Sequence, residues 1–305
     1  MSSESFDLTR EESDVGGFGD RLARYVFFSC ALVTVLTTLA IIVVLVNGAI
    51  DFFAEVSLVE YFTSTEWDAI NETSFGIWPL IWGTMLITVG SAVVALPVGT
   101  LTAIYLSEYA DPRVRRTVKP ILEILAGVPT IVYGFFALSF ITPILQTLFP
   151  GTGTFNAAAG AIVVGIMIIP MVSSLSEDAM SSVPDSLRNA AYGLGATKFE
   201  VSTQVVLPAS LSGVLAAYIL AISRAIGETM AVTLAAGMLP QITTNPLAEI
   251  QTMTAYMVQV GTGDIAVGTV GYQSLFAVGL TLFVMTLSMN IFSEWVRARY
   301  REEYQ

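Results

Sequence analysis

The run ASLSGVLAAYILAISRAIGETMAVTLAAGM, residues 209–238, is long and apolar enough to cross a lipid bilayer. It carries two opposite charges near its middle, Arg224 and Glu228, which lie four residues apart and would share one face of a continuous helix. A charge at the bilayer centre costs about 2.5–3.5 kcal/mol on insertion scales, so such residues usually face protein or a water-filled path. The sequence therefore predicts a helix inside a bundle, with its charged face turned toward neighbouring protein.

The composition of the whole chain is typical of a membrane protein with several spans. Of its 305 residues, 54% are hydrophobic and 12% are charged. There is no histidine and one cysteine, Cys30, which argues against imidazole bases, Ser-His nucleophile systems and a metal site. We predict an acidic cytoplasmic tail at 1–20, a transmembrane domain at 21–296 and a basic cytoplasmic tail at 297–305.

Six apolar runs of about the length that a bilayer requires predict an all-α bundle of six transmembrane helices. The predicted spans are approximately 25–46, 78–105, 121–148, 156–174, 209–238 and 272–292. The third run is interrupted by Gly127 and Pro129, which either form a hinge or merely bend the helix. Glu123, near the start of that run, is predicted to pair with Lys119 one helical turn earlier.

The basic residues predict the orientation. Arg224 lies within a span, and the other twelve bases fall in the two tails and in the 106–119 and 175–208 loops. The positive-inside rule therefore places both termini in the cytoplasm. The net charge of −12, with only two lysines, suggests the hypothesis of a halophilic prokaryotic source, since high salt screens a dense acidic surface.

The loop at 175–208 contains signals for two short helices. Pro184 can begin the first, Gly195 can end it through a left-handed turn, and a second at about 196–206 leads to Pro208. Two short helices joined at a glycine form a compact knob for a partner's groove. By spacing alone, an ordinary helical hairpin between two spans is an equal alternative.

The residues of this loop resemble the coupling loop of ABC importer permeases. The family pattern is Glu-Ala-Ala, three residues, Gly, nine residues, Ile, one residue, Leu-Pro. The positions that fit it are Ala190, Ala191, Gly195, Leu207 and Pro208. Asn189 stands in place of the glutamate and Val205 in place of the isoleucine. The resemblance implies that this loop docks onto an ATPase subunit, and Asn189 puts in doubt any salt bridge that the family glutamate makes there.

Two further stretches narrow the resemblance. Residues 122–135, LEILAGVPTIVYGF, resemble the third-span signature of phosphate permeases, and residues 224–232, RAIGETMAV, resemble their fifth-span signature. The ending is similar to the PstC type and not to its sister, PstA. The resemblance implies the bundle of type I ABC importer permeases. It also implies a PstA-like sister permease, two nucleotide-binding ATPase subunits and an extracytoplasmic phosphate-binding protein as partners.

In such permeases the arginine and glutamate of the fifth-span motif are associated with phosphate passage, which implies this role for Arg224 and Glu228. A guanidinium offers planar, paired donors that suit phosphate oxygens. The alternative is a permanently neutralised pair that only locks helices together.

Other function classes are weighed against this interpretation. A phosphate-binding P-loop needs Gly-Lys followed by Ser or Thr, and neither Lys119 nor Lys198 follows a glycine. We therefore expect a subunit that is not an enzyme and holds no cofactor, with ATP bound by a partner. A permease for sulfate or molybdate remains an alternative. So does a secondary transporter driven by an ion gradient, which would predict inverted repeats with paired broken helices.

Overall fold

The computed structural model describes residues 14–263 and 265–299, so most of the predicted acidic tail and the end of the basic tail lie outside the described residues. The helices are α1 Asp14–Glu55, α2 Leu58–Thr63, α3 Trp78–Ile104, α4 Pro112–Ala126, α5 Thr130–Phe136, α6 Thr142–Leu148, α7 Ala157–Ser181, α8 Asp185–Gly193, α9 Lys198–Glu200, α10 Leu207–Ala209, α11 Leu211–Ile226, α12 Met230–Ala236, α13 Met253–Gly261 and α14 Val270–Arg299. Short π-helical segments, Tyr105–Tyr109, Ala137–Ile141 and Val201–Val206, continue α3, α5 and α9. Strands β1 Trp67–Asp68 and β2 Ser74–Phe75 form an antiparallel hairpin.

Small residues allow the helices at the centre of the bundle to approach closely. Helix α7 packs lengthwise against α3 and also against α11 and α12, while α1 packs against α14. A side chain at Gly99 of α3 would lie 2.6 Å from Val172 of α7, and one at Gly165 of α7 would lie 2.8 Å from Val94. Within a bilayer, hydrophobic burial does not drive helices together, so the bundle depends on close packing of this kind between helix backbones.

The predicted all-α membrane fold is confirmed, with differences at the ends of the spans. Five helical segments of the described chain are long and apolar enough to cross a membrane, and a sixth is obtained if the bent pair 198–209 and 211–226 is counted as one span. Helix α1 is longer than its predicted span and already includes residues 14–20. The segment at 47–77, between the first two predicted spans, contains the end of α1, α2 and the hairpin.

The third span begins later than predicted. Helix α4 ends at Ala126, and the apolar helical segment that could span the membrane runs from Thr130 to Leu148. The break has a local cause, because Pro129 lacks an N–H and disfavours helical geometry at Val128. The Tyr133 hydroxyl donates a hydrogen bond of 2.8 Å to the carbonyl of Leu125, which the break leaves without a full helical partner.

The prediction of one continuous helix over 209–238 is wrong. Helix α11 ends at Ile226, and α12 begins at Met230 and ends at Ala236, directly before Gly237, where φ is +93°. Glycine has low helix propensity, and Gly227 is the first residue of the break. The Glu228 carboxylate then accepts a hydrogen bond of 3.2 Å from the Ala231 amide, which satisfies one of the free N–H groups at the start of α12.

Candidate functional site

The two charges of the opening run meet across the break between α11 and α12. Arg224 lies in the last turn of α11 and Glu228 lies in the break, with Nη1 of the arginine 3.5 Å from Oε2 of the glutamate. The Arg224 side chain is 44% exposed, whereas that of Glu228 is 2% exposed. The predicted contact is therefore present, but the backbone between the two residues is not the helix that was predicted to bring them together.

Glu228 is held firmly and Arg224 is not. The backbone carbonyl of Glu228 accepts a hydrogen bond of 2.7 Å from the Thr254 hydroxyl, in addition to the amide bond to its carboxylate. Arg224 has five N–H donors, and within the described residues Glu228 is the one carboxylate within 4.0 Å of it. The guanidinium thus has donors that no described residue occupies, and its half-exposed side chain leaves them accessible.

The second predicted element, the pair Gly127 and Pro129, lies close to the same region. It forms the break before α5, and α5 packs against α12, the helix that follows the Glu228 break. A side chain at Gly134 of α5 would lie 2.9 Å from Leu234 of α12. The two broken helices therefore touch through the short helices that follow their breaks. A hinge at Gly127 and Pro129 stays a prediction. If the helix bends there, the contact between α5 and α12 would transmit the movement to the region of Glu228.

The loop predicted at 175–208 begins later than predicted, because α7 continues to Ser181. The remainder folds as two short helical runs joined at Gly195, as predicted. Gly195 has φ +87°, its amide donates to the Tyr192 carbonyl at 2.9 Å, and the Ala196 amide donates to the Ala191 carbonyl at 3.1 Å. These bonds define a Schellman motif, which ends α8. Thr197 and Glu200 then form a reciprocal capping box that starts the second run. We call residues 185–209 the knob.

One surface of the knob is apolar and uncovered. Tyr192, Leu194 and Phe199 are exposed, Leu194 to 91%. Of the motif residues, Asn189, Ala190, Gly195 and Pro208 are exposed, whereas Ala191 and Leu207 are half-buried. Exposed large apolar side chains clustered on a projecting element indicate a protein contact. The exposed motif positions are therefore available to a partner.

Sequence reasoning missed the arginine that holds the knob to the bundle. The Arg188 side chain is 13% exposed and contacts the Glu108 carboxylate at 3.0 Å, the Met180 carbonyl at 2.9 Å and the Val183 carbonyl. Glu108 closes the π-helical end of α3, and the two carbonyls belong to the end of α7 and the turn after it. The available signal was an arginine directly before Asn189, together with an acid, Glu108, at the start of the 106–119 loop.

The predicted pair of Lys119 and Glu123 is wrong. Lys119 contacts Glu177 at 2.8 Å and Asp178 at 2.6 Å, and Arg115 also contacts Glu177. Arg115 and Lys119 lie one turn apart on the face of α4 that packs against α7, so both reach the buried Glu177. Hydrogen bonds from Lys119 to Asp178 and Glu177 raise the pKa of the lysine, because they favour its charged form.

Replacement of Gly195 by alanine is expected to destabilise the turn of the knob by about 1 kcal/mol, because an L side chain is strained at positive φ. Proteolysis of the purified protein should cleave the Gly195→Ala variant faster within 185–209. Gly193→Ala is the matched control, since Gly193 ends α8 without positive φ and a Cβ there has no atom within 4 Å. Equal cleavage of both variants would contradict the argument.

Comparison with known proteins adds a family match and full-length relatives. The family described as "Binding-protein-dependent transport system inner membrane component" matches residues 95–302. A probable ABC transporter permease protein, YqgH of Bacillus subtilis, is 33% identical over 280 residues, which cover 90% of each chain. The phosphate transport system permease protein PstC is 33% identical in Mesorhizobium japonicum, over 78% of each chain, and 32% identical in Xylella fastidiosa, over 96% of each chain.

Solved structures share the fold. A chain of a bacterial ABC transporter that imports the acidic polysaccharide alginate superposes with a TM-score of 0.63, at 14% identity, over 93% of this chain and 99% of its own. A chain of the methionine ABC transporter MetNI superposes with a TM-score of 0.55, at 19% identity, over 74% of this chain and 95% of its own. These likenesses concern architecture, and they confirm the predicted bundle.

Proposed function

The chain belongs to the family of binding-protein-dependent transport system inner membrane components, and from this premise we propose that it is the PstC-type permease subunit of an ATP-driven phosphate importer. The observation that supports a transport role most directly is the half-exposed guanidinium of Arg224 beside the buried carboxylate of Glu228. Charged residues inside a membrane usually have a function. The relatives named as phosphate permeases indicate that the substrate is phosphate.

The site suits transient binding of an oxyanion. When the path is empty, Glu228 keeps the guanidinium in place through the 3.5 Å contact. A phosphate that arrives can accept paired N–H bonds from the free side of Arg224. Its negative charge competes with Glu228 for the arginine, so the anion is not held as tightly as by an arginine alone. Moderate binding of this kind is what passage requires.

The ATP-driven step would reach this site through the knob. We propose that one of the two ATPase subunits docks on its apolar surface and that the ATPase subunits bind and hydrolyse ATP, with no cofactor on this chain. Arg188 would carry the displacement to Glu108 and α7, and Glu177 would carry it through Lys119 to α4. Helix α4 leads through Gly127 and Pro129 to α5, which contacts α12 beside Glu228. Both broken helices therefore lie on the proposed route.

The remaining partners would complete the importer. We propose a PstA-like sister permease and an extracytoplasmic phosphate-binding protein that delivers phosphate to the side opposite the knob. Both termini would face the cytoplasm, since the bases other than Arg224 fall in the two tails and in the 106–119 and 175–208 loops of the sequence. Acidic residues of the predicted outer loops, such as Glu60 and Glu66, repel a free anion at low salt, which fits delivery by a docked protein and equally fits screening by high salt.

The test of this function is uptake of radiolabelled phosphate by cells that lack their own PstC and carry this chain with its partner subunits. Restored uptake that excess sulfate and molybdate do not block is the expected result. Block by sulfate or molybdate, or no restoration despite an assembled complex, would make the substrate assignment wrong.

A variant of Arg188 tests the mechanical route. Arg188→Met removes the contacts to Glu108 and to two carbonyls, so uptake should fall at least about tenfold, as expected for loss of a buried charge-assisted bond. ATP hydrolysis by the assembled complex should continue and lose its stimulation by phosphate-loaded binding protein. Arg24→Met is the matched control, because this exposed arginine of α1 lies outside the knob and has no carboxylate within 4.0 Å among the described residues. Normal uptake by Arg188→Met would refute the route.

A further inference from the structure

Helix α4 is amphipathic and, unlike the spans that pack at the bundle centre, has no buried residue. One of its edges carries large aliphatic side chains that are exposed in the chain: Val114, Ile121, Ile124 and Leu125, with Ile124 exposed to 70%. On the face toward α7, Arg115 and Lys119 are engaged by Glu177 and Asp178. The helix is thus fixed on one side, and its apolar edge has no cover within the described residues.

The helical geometry separates this apolar edge from a charged edge. At about 100° per residue, Val114, Ile121 and Leu125 fall within about 40° of one another, about a third of a turn from the face that meets α7, and Ile124 widens this edge by about 60° on the side away from α7. Arg116 and Glu123 lie a quarter turn to the other side. They line a cleft of about 470 Å³ between α4 and the residues that follow α3. Arg113 points directly away from α7, between the two edges.

Helix α4 does not cross the bilayer. Its 15 residues measure about 22 Å, less than the roughly 30 Å of the hydrocarbon core. The break at Gly127 and Pro129 separates it from the apolar segment that begins at Thr130. A short helix with one apolar edge and one charged edge, joined by a break to a span, has the properties of a helix that lies in the plane of the interface.

The residue types on the exposed edge favour lipid over another protein helix as its cover. Contacts between helices in membranes are enriched in Gly, Ala and Ser, whereas this edge is built from Val, Ile and Leu. Arg113 and Arg116 are exposed, and no described carboxylate lies within 4.0 Å of either. Unpaired arginines beside an apolar edge can place their stems along lipid and their guanidinium groups among headgroup phosphates.

We propose that α4 lies in the lipid–water interface of the cytoplasmic leaflet, with Ile121, Ile124 and Leu125 against acyl chains and with Arg113 and Arg116 on anionic headgroups. The proposal rests on the orientation given above and does not depend on which anion is transported. The ion pairs between α4 and Glu177 then have a second function. They couple a helix that lies in the membrane leaflet to α7, and so to the knob that follows α7.

Single-cysteine spin labels measure what covers the edge. In a Cys30→Ser background, Ile121→Cys, Ile124→Cys and Glu123→Cys are labelled in the complete importer, reconstituted in bilayers that contain phosphatidylglycerol. Labels at 121 and 124 should collide more with oxygen than with a water-soluble nickel chelate, and the label at 123 should show the reverse. If the labels at 121 and 124 collide more with the nickel chelate than with oxygen, the edge faces water and the proposal is wrong. If they collide little with either reagent, a protein partner covers the edge and the proposal is also wrong.

The headgroup contact has its own test, which does not use phosphate uptake and so fails independently of the proposed substrate. The preference of the importer for spin-labelled phosphatidylglycerol over phosphatidylcholine is compared between the wild type and the double variant Arg113→Gln/Arg116→Gln. Since each base near an anionic surface contributes about a fivefold preference, the double variant should lose several-fold selectivity. Arg113→Lys/Arg116→Lys keeps the charge and should keep the selectivity. An unchanged preference in the glutamine variant would overturn the headgroup assignment.

Discussion

Replacement of Arg224 by glutamine is expected to lower phosphate uptake by at least about 100-fold, to the level of cells without the permease. Two charge-assisted hydrogen bonds from the guanidinium to the anion contribute about 1.5 kcal/mol each at the low end, and their loss corresponds to that factor. The measurement is uptake of labelled phosphate in complemented cells, normalised to the amount of assembled complex.

The same variant must be separated from a merely structural defect, since it leaves the buried Glu228 without its cation. The double variant Arg224→Gln/Glu228→Gln removes both charges and should restore any lost assembly without restoring uptake. Arg224→Lys keeps the charge but lacks the planar donors, so it should transport at an intermediate rate. If the double variant transports normally, the pair only locks the helices, and the role in passage assigned to these two residues is wrong.

Replacement of Gly83 by alanine is expected to lower the stability of the protein strongly, although the position lies outside the site. A Cβ at Gly83 of α3 would overlap the carbonyl oxygen of Gln251 and lie 3.0 Å from its carbonyl carbon. Backbone atoms cannot rotate away as a side chain can, so the segment that leads into α13 must shift. Overpacking of this kind costs about 1–3 kcal/mol or more.

The displacement would also reach the site, because Thr84 accepts a hydrogen bond of 3.1 Å from the Met253 amide and Thr254 holds the Glu228 carbonyl. Thermal unfolding in detergent, followed by size-exclusion chromatography, should show a lower midpoint for Gly83→Ala and several-fold less assembled complex. Gly261→Ala is the matched control, since a Cβ at this last residue of α13 meets no atom within 4 Å. An unchanged midpoint for Gly83→Ala would show that α3 and this segment do not pack as described.

Hydropathy predicted the number of spans well. A segment in the hydrocarbon region must pair its own backbone N–H and C=O groups, so it forms a helix with apolar side chains. The turn at Gly195 was predictable for a different reason, since its positive φ is a local property that glycine meets at low cost. Helix ends were predicted less well. The break at Gly227 and the separation of α4 from the third span occur inside apolar runs, where hydropathy does not change.

The residue types and their spacing were therefore enough for the membrane class, the orientation hypothesis, the knob and the choice of Arg224 and Glu228 as a pair. These features depend on neighbours within a few turns of the chain. Tertiary structure alone decided that Lys119 pairs with Glu177 and Asp178, that Arg188 fastens the knob to Glu108, and that Arg224 is open while Glu228 is buried. Those outcomes depend on which surfaces of helices distant in sequence meet. Helix packing sets the distances between charged side chains, and these distances decide which of them form ion pairs.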